Sequence, residues 1–186
     1  MKKICLLILV ALTMAPLSFA ADNEHAVEFG AFLDYLRLNN VDQNFYGVGG
    51  RIGVNPHPNV GLEGEMSYDF ERNVAGTTTL FRSGFRTLHG LFGLKLQSNG
   101  PIRVFGTAKG GFVNFGVSNS GSLVSGFTSA INNVQDGDTK PVFYPGGGIE
   151  LGGGTFGLRL EVGDFMYFEG GAQHNLRFTI GPQIRF

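Results

Sequence analysis

A chain of 186 residues fits one domain, and a formal net charge of −1 gives no electrostatic basis for nucleic-acid binding. One cysteine, Cys5, excludes a disulfide framework, and 30 glycines with 18 phenylalanines are not a helical composition. The first element is residues 1–20, "MKKICLLILVALTMAPLSFA". Lys2 and Lys3 precede an apolar run from Ile4 to Leu12, and Ser18-Phe19-Ala20 places small residues where a signal peptidase reads. This predicts a secretory signal peptide cut after Ala20, leaving a domain over residues 21–186. Cys5 departs with it, too early in the signal to be a lipid-attachment cysteine. The loss of Lys2 and Lys3 takes the charge from −1 to −3. No apolar run of about 18 residues remains, so no transmembrane helix is expected.

From there the periodicity is two almost throughout. In "VGLEGEMSYDFE", Val60, Leu62, Met66, Tyr68 and Phe70 share one face, and Glu63, Glu65, Ser67, Asp69 and Glu71 the other. "FYGVGGRIGV" and "TFGLRLEVG" sort in the same way, which a strand does and a helix does not. Eight strands are predicted, over residues 26–38, 45–55, 60–71, 82–97, 102–116, 142–153, 155–168 and 176–186. Each is long enough to cross a bilayer when tilted. In the fourth, Leu88, Phe92, Leu94 and Leu96 oppose Thr87, His89 and Lys95. Pro145 in the sixth predicts a bulge or a late start, because proline cannot donate to a ladder.

The links alternate in length. "PHPN", "SNGP" and a Gly153-Gly154 turn follow even strands, whereas "NNVDQN", "RNVAGTTTLF", the segment 118–140 and "EGGAQHN" follow odd ones. One end trimmed and the other elaborated is the asymmetry of an outer-membrane barrel.

Alternation alone does not say which face points inward. The polar face carries Gly47, Gly49, Gly53, Gly61, Gly157, Gly163 and Gly181, which weaken a solvated strand but suit the crowded lumen of eight strands. Its charges balance. Glu28, Asp34, Glu63, Glu65, Asp69, Glu150 and Glu161 are the acidic lumen candidates, and Arg51, Lys95, Arg103, Lys109, Arg159, Arg177 and Arg185 the basic ones. A buried charge needs a partner, so an even balance fits an interior network. On the apolar face Tyr35, Tyr46, Tyr68, Phe70, Phe112, Phe143 and Phe168 gather toward the long links, with Phe156 and Phe186 at the other end, as interfacial girdles would.

The terminal "FTIGPQIRF", with the signal peptide and eight alternating strands, resembles small outer-membrane β-barrel proteins of Gram-negative bacteria, the group that includes the OmpA transmembrane domain and OmpX-like proteins. The resemblance covers the whole mature chain and rests on pattern rather than on a diagnostic motif. It implies an all-β fold, an eight-stranded antiparallel up-and-down transmembrane β-barrel in the outer membrane. It also implies that Phe178, Ile180, Ile184 and Phe186 carry the C-terminal signal read by the barrel assembly machinery. Pro182 departs from the pattern and predicts a local bulge.

No further chemistry is legible. The glycine-rich "GVGGRIGV" and "YPGGGIELGGG" contain no phosphate-binding motif. His25, His57, His89 and His174 have no metal-ligand spacing, and His89 reads as a lumen network member. A lipid A-modifying enzyme needs serine, histidine and a carboxylate together. His-x-Ser is absent, although His89 with Ser67 or Ser83 could meet across strands. A narrow small-solute pore is the other alternative. The expected role is structural or surface-interacting (adhesion or protection) through the outer loops, above all residues 118–140. No catalytic residue, cofactor or metal is assigned, and the chain is expected to be a monomer contacting outer-membrane lipid and lipopolysaccharide.

Overall fold

The computed structural model describes residues 27–39, 43–73, 84–118, 138–152 and 154–186. The predicted signal peptide, most of the long links and His25 lie outside the described residues. The strands are β1 (Val27–Leu38), β2 (Gln43–His57), β3 (Val60–Asn73), β4 (Gly84–Gln97), β5 (Ile102–Ser118), β6 (Asp138–Leu151), β7 (Phe156–Asp164), β8 (Met166–Phe168), β9 (Ala172–Gln173) and β10 (Leu176–Arg185). Each of β1 to β6 pairs antiparallel with the next, β7 pairs β10, and β10 pairs β1, so the sheet closes on itself. β8 prolongs β7 beyond Phe165, and β9 is a two-residue return that pairs β8. The barrel therefore has eight crossing strands, and no helix occurs among the described residues.

The links after even strands are tight. Pro58-Asn59 joins β2 to β3, where Asn59 N–H donates to His57 Nδ1 at 3.2 Å. Gly100 and Gly152 supply φ of 115° and 118° to the turns after β4 and β6, a region that favours glycine. Gly152 N–H donates to Pro101 O at 2.9 Å and links those two turns.

Three sequence expectations are corrected. The sixth strand begins at Asp138, not at residue 142, so the predicted loop 118–140 loses Ser118 to β5 and Asp138 to Lys140 to β6. Pro145 makes no bulge: the β5–β6 register runs unbroken from Ile102↔Leu151 to Phe115↔Asp138. Its missing donor interrupts the other edge instead. There β6 pairs β7 from Gly146 to Leu151 and resumes with β8 at Phe143 and Val142 in the same register. The gap opposite Tyr144 and Pro145 splits the seventh strand at Phe165, which keeps the ladder to the far side by donating to Asn175 O at 2.7 Å.

Pro182 likewise makes no bulge. It pairs Leu158 in register, and pairing with β1 lapses only at Gly181 and Pro182 before resuming unshifted. Gly181 lets the backbones close up there, since a Cβ would stand 1.9 Å from Ala31 O. Gly181→Val is therefore expected to part the β1–β10 seam. Loss of the compact, fast-migrating species on an unheated gel checks it, and wild-type migration refutes it. The register shifts lie nearer strand ends, between Val54 and His57 and between Asp69 and Arg72.

The two faces are inverted relative to a water-soluble barrel. Val48, Ile52, Met66, Phe92, Leu94, Leu96, Val104, Phe156 and Val162 stand exposed on the outer wall. Glu63, Lys95, Lys109, Glu150, Arg159, Arg177 and Arg185 are buried inside it. Strand pleating produces this directly, because successive side chains leave opposite sides of the wall.

Candidate functional site

The lumen is the one place where chemistry gathers among the described residues, and it is layered along the barrel. Near the tight-turn end, Lys95 Nζ donates to Glu28 Oε2 at 2.6 Å and Glu150 Oε1 at 3.1 Å, with Glu63 at 3.3 Å. Arg185 donates to Glu150 Oε2 and to Gly152 O, both at 2.7 Å. Arg103 lies 3.8 Å from Glu28 and is the most open of the lumen cations, its side chain 15% exposed.

Arg159 occupies the middle. It donates to both oxygens of Glu63, to Glu161 Oε2 at 2.6 Å and to Glu150 Oε1 at 3.1 Å, and it stacks on Phe105 at 4.0 Å. Lys109 bonds Glu65 at 2.8 Å and Glu161 at 2.9 Å. Arg51 bridges the same two carboxylates at 3.0 and 3.1 Å. Such clusters spread each buried charge over several partners, which offsets its loss of hydration.

Toward the long-loop end, Arg177 grips Asp34 at 2.9–3.1 Å, reaches Glu65, and lies over the Tyr144 ring at 5.2 Å. His89 Nε2 stands 3.2 Å from Asp34 Oδ2, and Nδ1 stands 3.7 Å from Asp69 Oδ2. Thus all fourteen charged residues read as lumen candidates face the interior. Thirteen of them interlock in ion pairs; among the described residues Asp69 meets only His89.

Around this layer and beyond it toward the long-loop end the lumen turns apolar. Leu36, Leu38, Phe45, Leu91, Val113, Val142, Tyr144, Phe165 and Tyr167 form one buried cluster. Sequence reading missed this plug. The signal was there: in "FLDYLRL" apolar residues beyond Asp34 sit on both faces, as they do at Phe45 and Tyr46.

Phe178, Ile180, Ile184 and Phe186 lie on the outer face of the closing strand. The Phe186 backbone exchanges hydrogen bonds with Val27 at 2.9 and 3.1 Å, and its ring meets Phe29 edge-on at 6.1 Å. Ser67 and His89 are cross-strand partners. They do not form a nucleophile–base pair: Ser67 Oγ donates to Val48 O at 3.4 Å, and His89 turns to the aspartates. His57 and His174 are exposed, the latter 2.6 Å from Asp164. No metal-binding group of three or more ligands occurs among the described residues.

A closed eight-stranded antiparallel barrel, apolar without and charged within, has the architecture of the small outer-membrane barrels. The solved structure of Neisserial surface protein A superimposes with a TM-score of 0.56 at 10% identity, over 88% of this chain and 98% of that one. Ail, the attachment invasion locus protein of Yersinia pestis, gives 0.54 at 13% identity, over 87% and 97%. No protein-family model matches the sequence, and neither does any curated protein.

Proposed function

We propose that the chain spans a bacterial outer membrane as a closed, non-catalytic barrel and acts at the cell surface, in adhesion or protection, through the loops at its plugged end. One observation carries this reading: the charge-packed, plugged lumen stands inside an apolar outer wall. That wall needs lipid around it, since an exposed band of Phe92, Leu94, Leu96, Val104 and Phe156 has no place in water. Among the described residues His89, Ser67 and Asp69 are all sealed from solvent, which supports the non-catalytic reading. Function then falls to the loops that the rigid wall holds out. Ail was solved with a heparin analogue, sucrose octasulfate; the loop-borne role proposed here is of that kind but rests on the packed lumen rather than on the likeness.

The location is tested by fractionation. Recovery in the outer membrane with heat-modifiable gel migration is expected, and recovery as a soluble periplasmic protein without detergent overturns it. In planar bilayers the protein is expected to be silent. Discrete conductance from the unaltered chain supports the narrow-pore alternative instead. Altered lipid A mass on expression, lost with His89→Ala, supports the enzymatic one.

A further inference from the structure

The lumen network leaves one carboxylate out. Asp69 on β3 is fully buried, and neither of its oxygens accepts a hydrogen bond among the described residues. The hydroxyl of Thr87, its cross-strand partner on β4, is buried and unpartnered as well. The aspartate fits because Gly47 on β2 has no side chain, a Cβ there lying 2.2 Å from Asp69 Oδ1. Its near neighbour is His89, which stands between two carboxylates, with Nδ1 toward Asp69 and Nε2 toward Asp34.

The groups around that imidazole come from each wall. β1 presents Asp34, which Arg177 of β10 already holds. β3 presents Asp69 and, nearer the middle, Glu65. β5 presents Val113 opposite His89, with Lys109 below it turned to Glu65 and Glu161. β6 presents Tyr144, under Arg177. Phe165 forms the roof, its ring edge-on to the imidazole at 5.0 Å. Phe165 sits opposite Tyr144, where the β6 ladder is open beside Pro145, so the roof stands at a weak point of the wall.

We propose that Asp34, His89 and Asp69 form a single-proton site, and that the proton it holds keeps the apolar plug closed over the lumen. A carboxylate without a donor in a dry interior is costly, and an ionisable group within a spanning segment marks a functional site. One proton satisfies both aspartates. On the imidazole, it makes both ring nitrogens donors. On Asp69, it is donated to Nδ1. Either placement ties β3 to β4 beneath Phe165 once the 3.7 Å between Nδ1 and Asp69 Oδ2 closes to hydrogen-bond length. When the proton passes to solvent water, the single hydroxyl of Thr87 cannot satisfy both oxygens of Asp69, and the remaining donors must come from water. That water enters through the plug, displacing the Phe165 ring.

The inference rests on the membrane-spanning reading, so the test uses the full chain in phospholipid nanodiscs. A chain that does not insert fails that reading, which is separate from failing this one. Two curves are recorded across the histidine range, about pH 5 to 8, and on to about pH 10. The first is the state of the site, from the His89 imidazole nitrogen shifts and the carboxylic-acid stretch of Asp69. The second is the amide exchange of Phe165 to Tyr167, corrected for the intrinsic rate. Protection is expected to fall roughly tenfold, about 1.4 kcal/mol, in the step that releases the proton. Asp69→Asn removes that step and leaves the plug closed throughout. Flat protection across the step, persistence of the step in Asp69→Asn, or a site with no proton to release overturns the proposal. Where Asp69→Asn does not fold, the two curves of the unaltered protein decide: they coincide or the proposal fails.

Discussion

Arg159→Ala is expected to destabilise the barrel by about 3–5 kcal/mol, the cost of breaking a buried ionic cluster from one side. Its guanidinium contacts Glu63, Glu161 and Glu150, and all three carboxylates are buried. Lys95 and Lys109 stay near Glu63 at 3.3 and 3.4 Å, but each already serves closer partners. The truncation also empties the face of Phe105, so packing is lost with the charge. Arg159→Lys keeps the charge and loses the fork that meets Glu63 with two nitrogens, so an intermediate loss is expected. Arg159→Met with Glu63→Leu removes both members of the strongest pair and is expected to cost less than Arg159→Ala alone. Urea unfolding of the lipid-embedded protein measures all three. If Arg159→Ala lies within about 0.5 kcal/mol of wild type, the range of an ordinary surface substitution, the lumen ion pairs do not hold the wall together.

The members of that cluster are legible in the sequence, and the reason is geometric. Side chains on a strand have a period of two, so one correctly phased residue such as Glu63 phases Gly61, Glu65 and Asp69 with it. The C-terminal strand is equally plain: Arg177 and Arg185 share a phase, and both meet carboxylates inside. What phase cannot reveal is content where both faces are apolar. Phe45 and Tyr46 are neighbours of similar type, yet the first fills the plug and the second stands exposed on the outer wall. Phe165 is hidden for the same reason, followed directly by Met166 and Tyr167. The prolines mislead differently, because a missing donor suggests a shifted register. Neighbouring pairs hold the register at Pro145 and Pro182, and the cost falls on a local gap in the ladder instead. The orphan state of Asp69 is invisible in the sequence too, since an even balance of seven acids and seven bases does not say which of them meet.

Deletion of Phe186 is expected to remove most of the protein from the outer membrane in cells while leaving refolding into lipid vesicles largely intact. The two halves of that expectation have different origins. In the folded barrel the residue contributes one pair of backbone hydrogen bonds to Val27 and an edge contact with Phe29, at the very end of a seam that runs from Glu28↔Arg185 to Arg37↔Leu176. Removing the last rung of such a ladder costs about 1–3 kcal/mol, within reach of a barrel closed by eight pairings. The ring itself is 63% exposed on the outer wall and adds little to the interior. A side chain with so small a share in the fold leaves room for the assembly role that the resemblance implies for Phe178, Ile180, Ile184 and Phe186, and we propose that role for it. Phe186→Leu separates the terms, because it keeps the backbone pair and the apolar contact but loses the aromatic ring. Quantitative outer-membrane fractionation beside vesicle refolding yields measures both. Equal loss in the two assays assigns Phe186 to the seam alone; loss confined to cells assigns it to assembly.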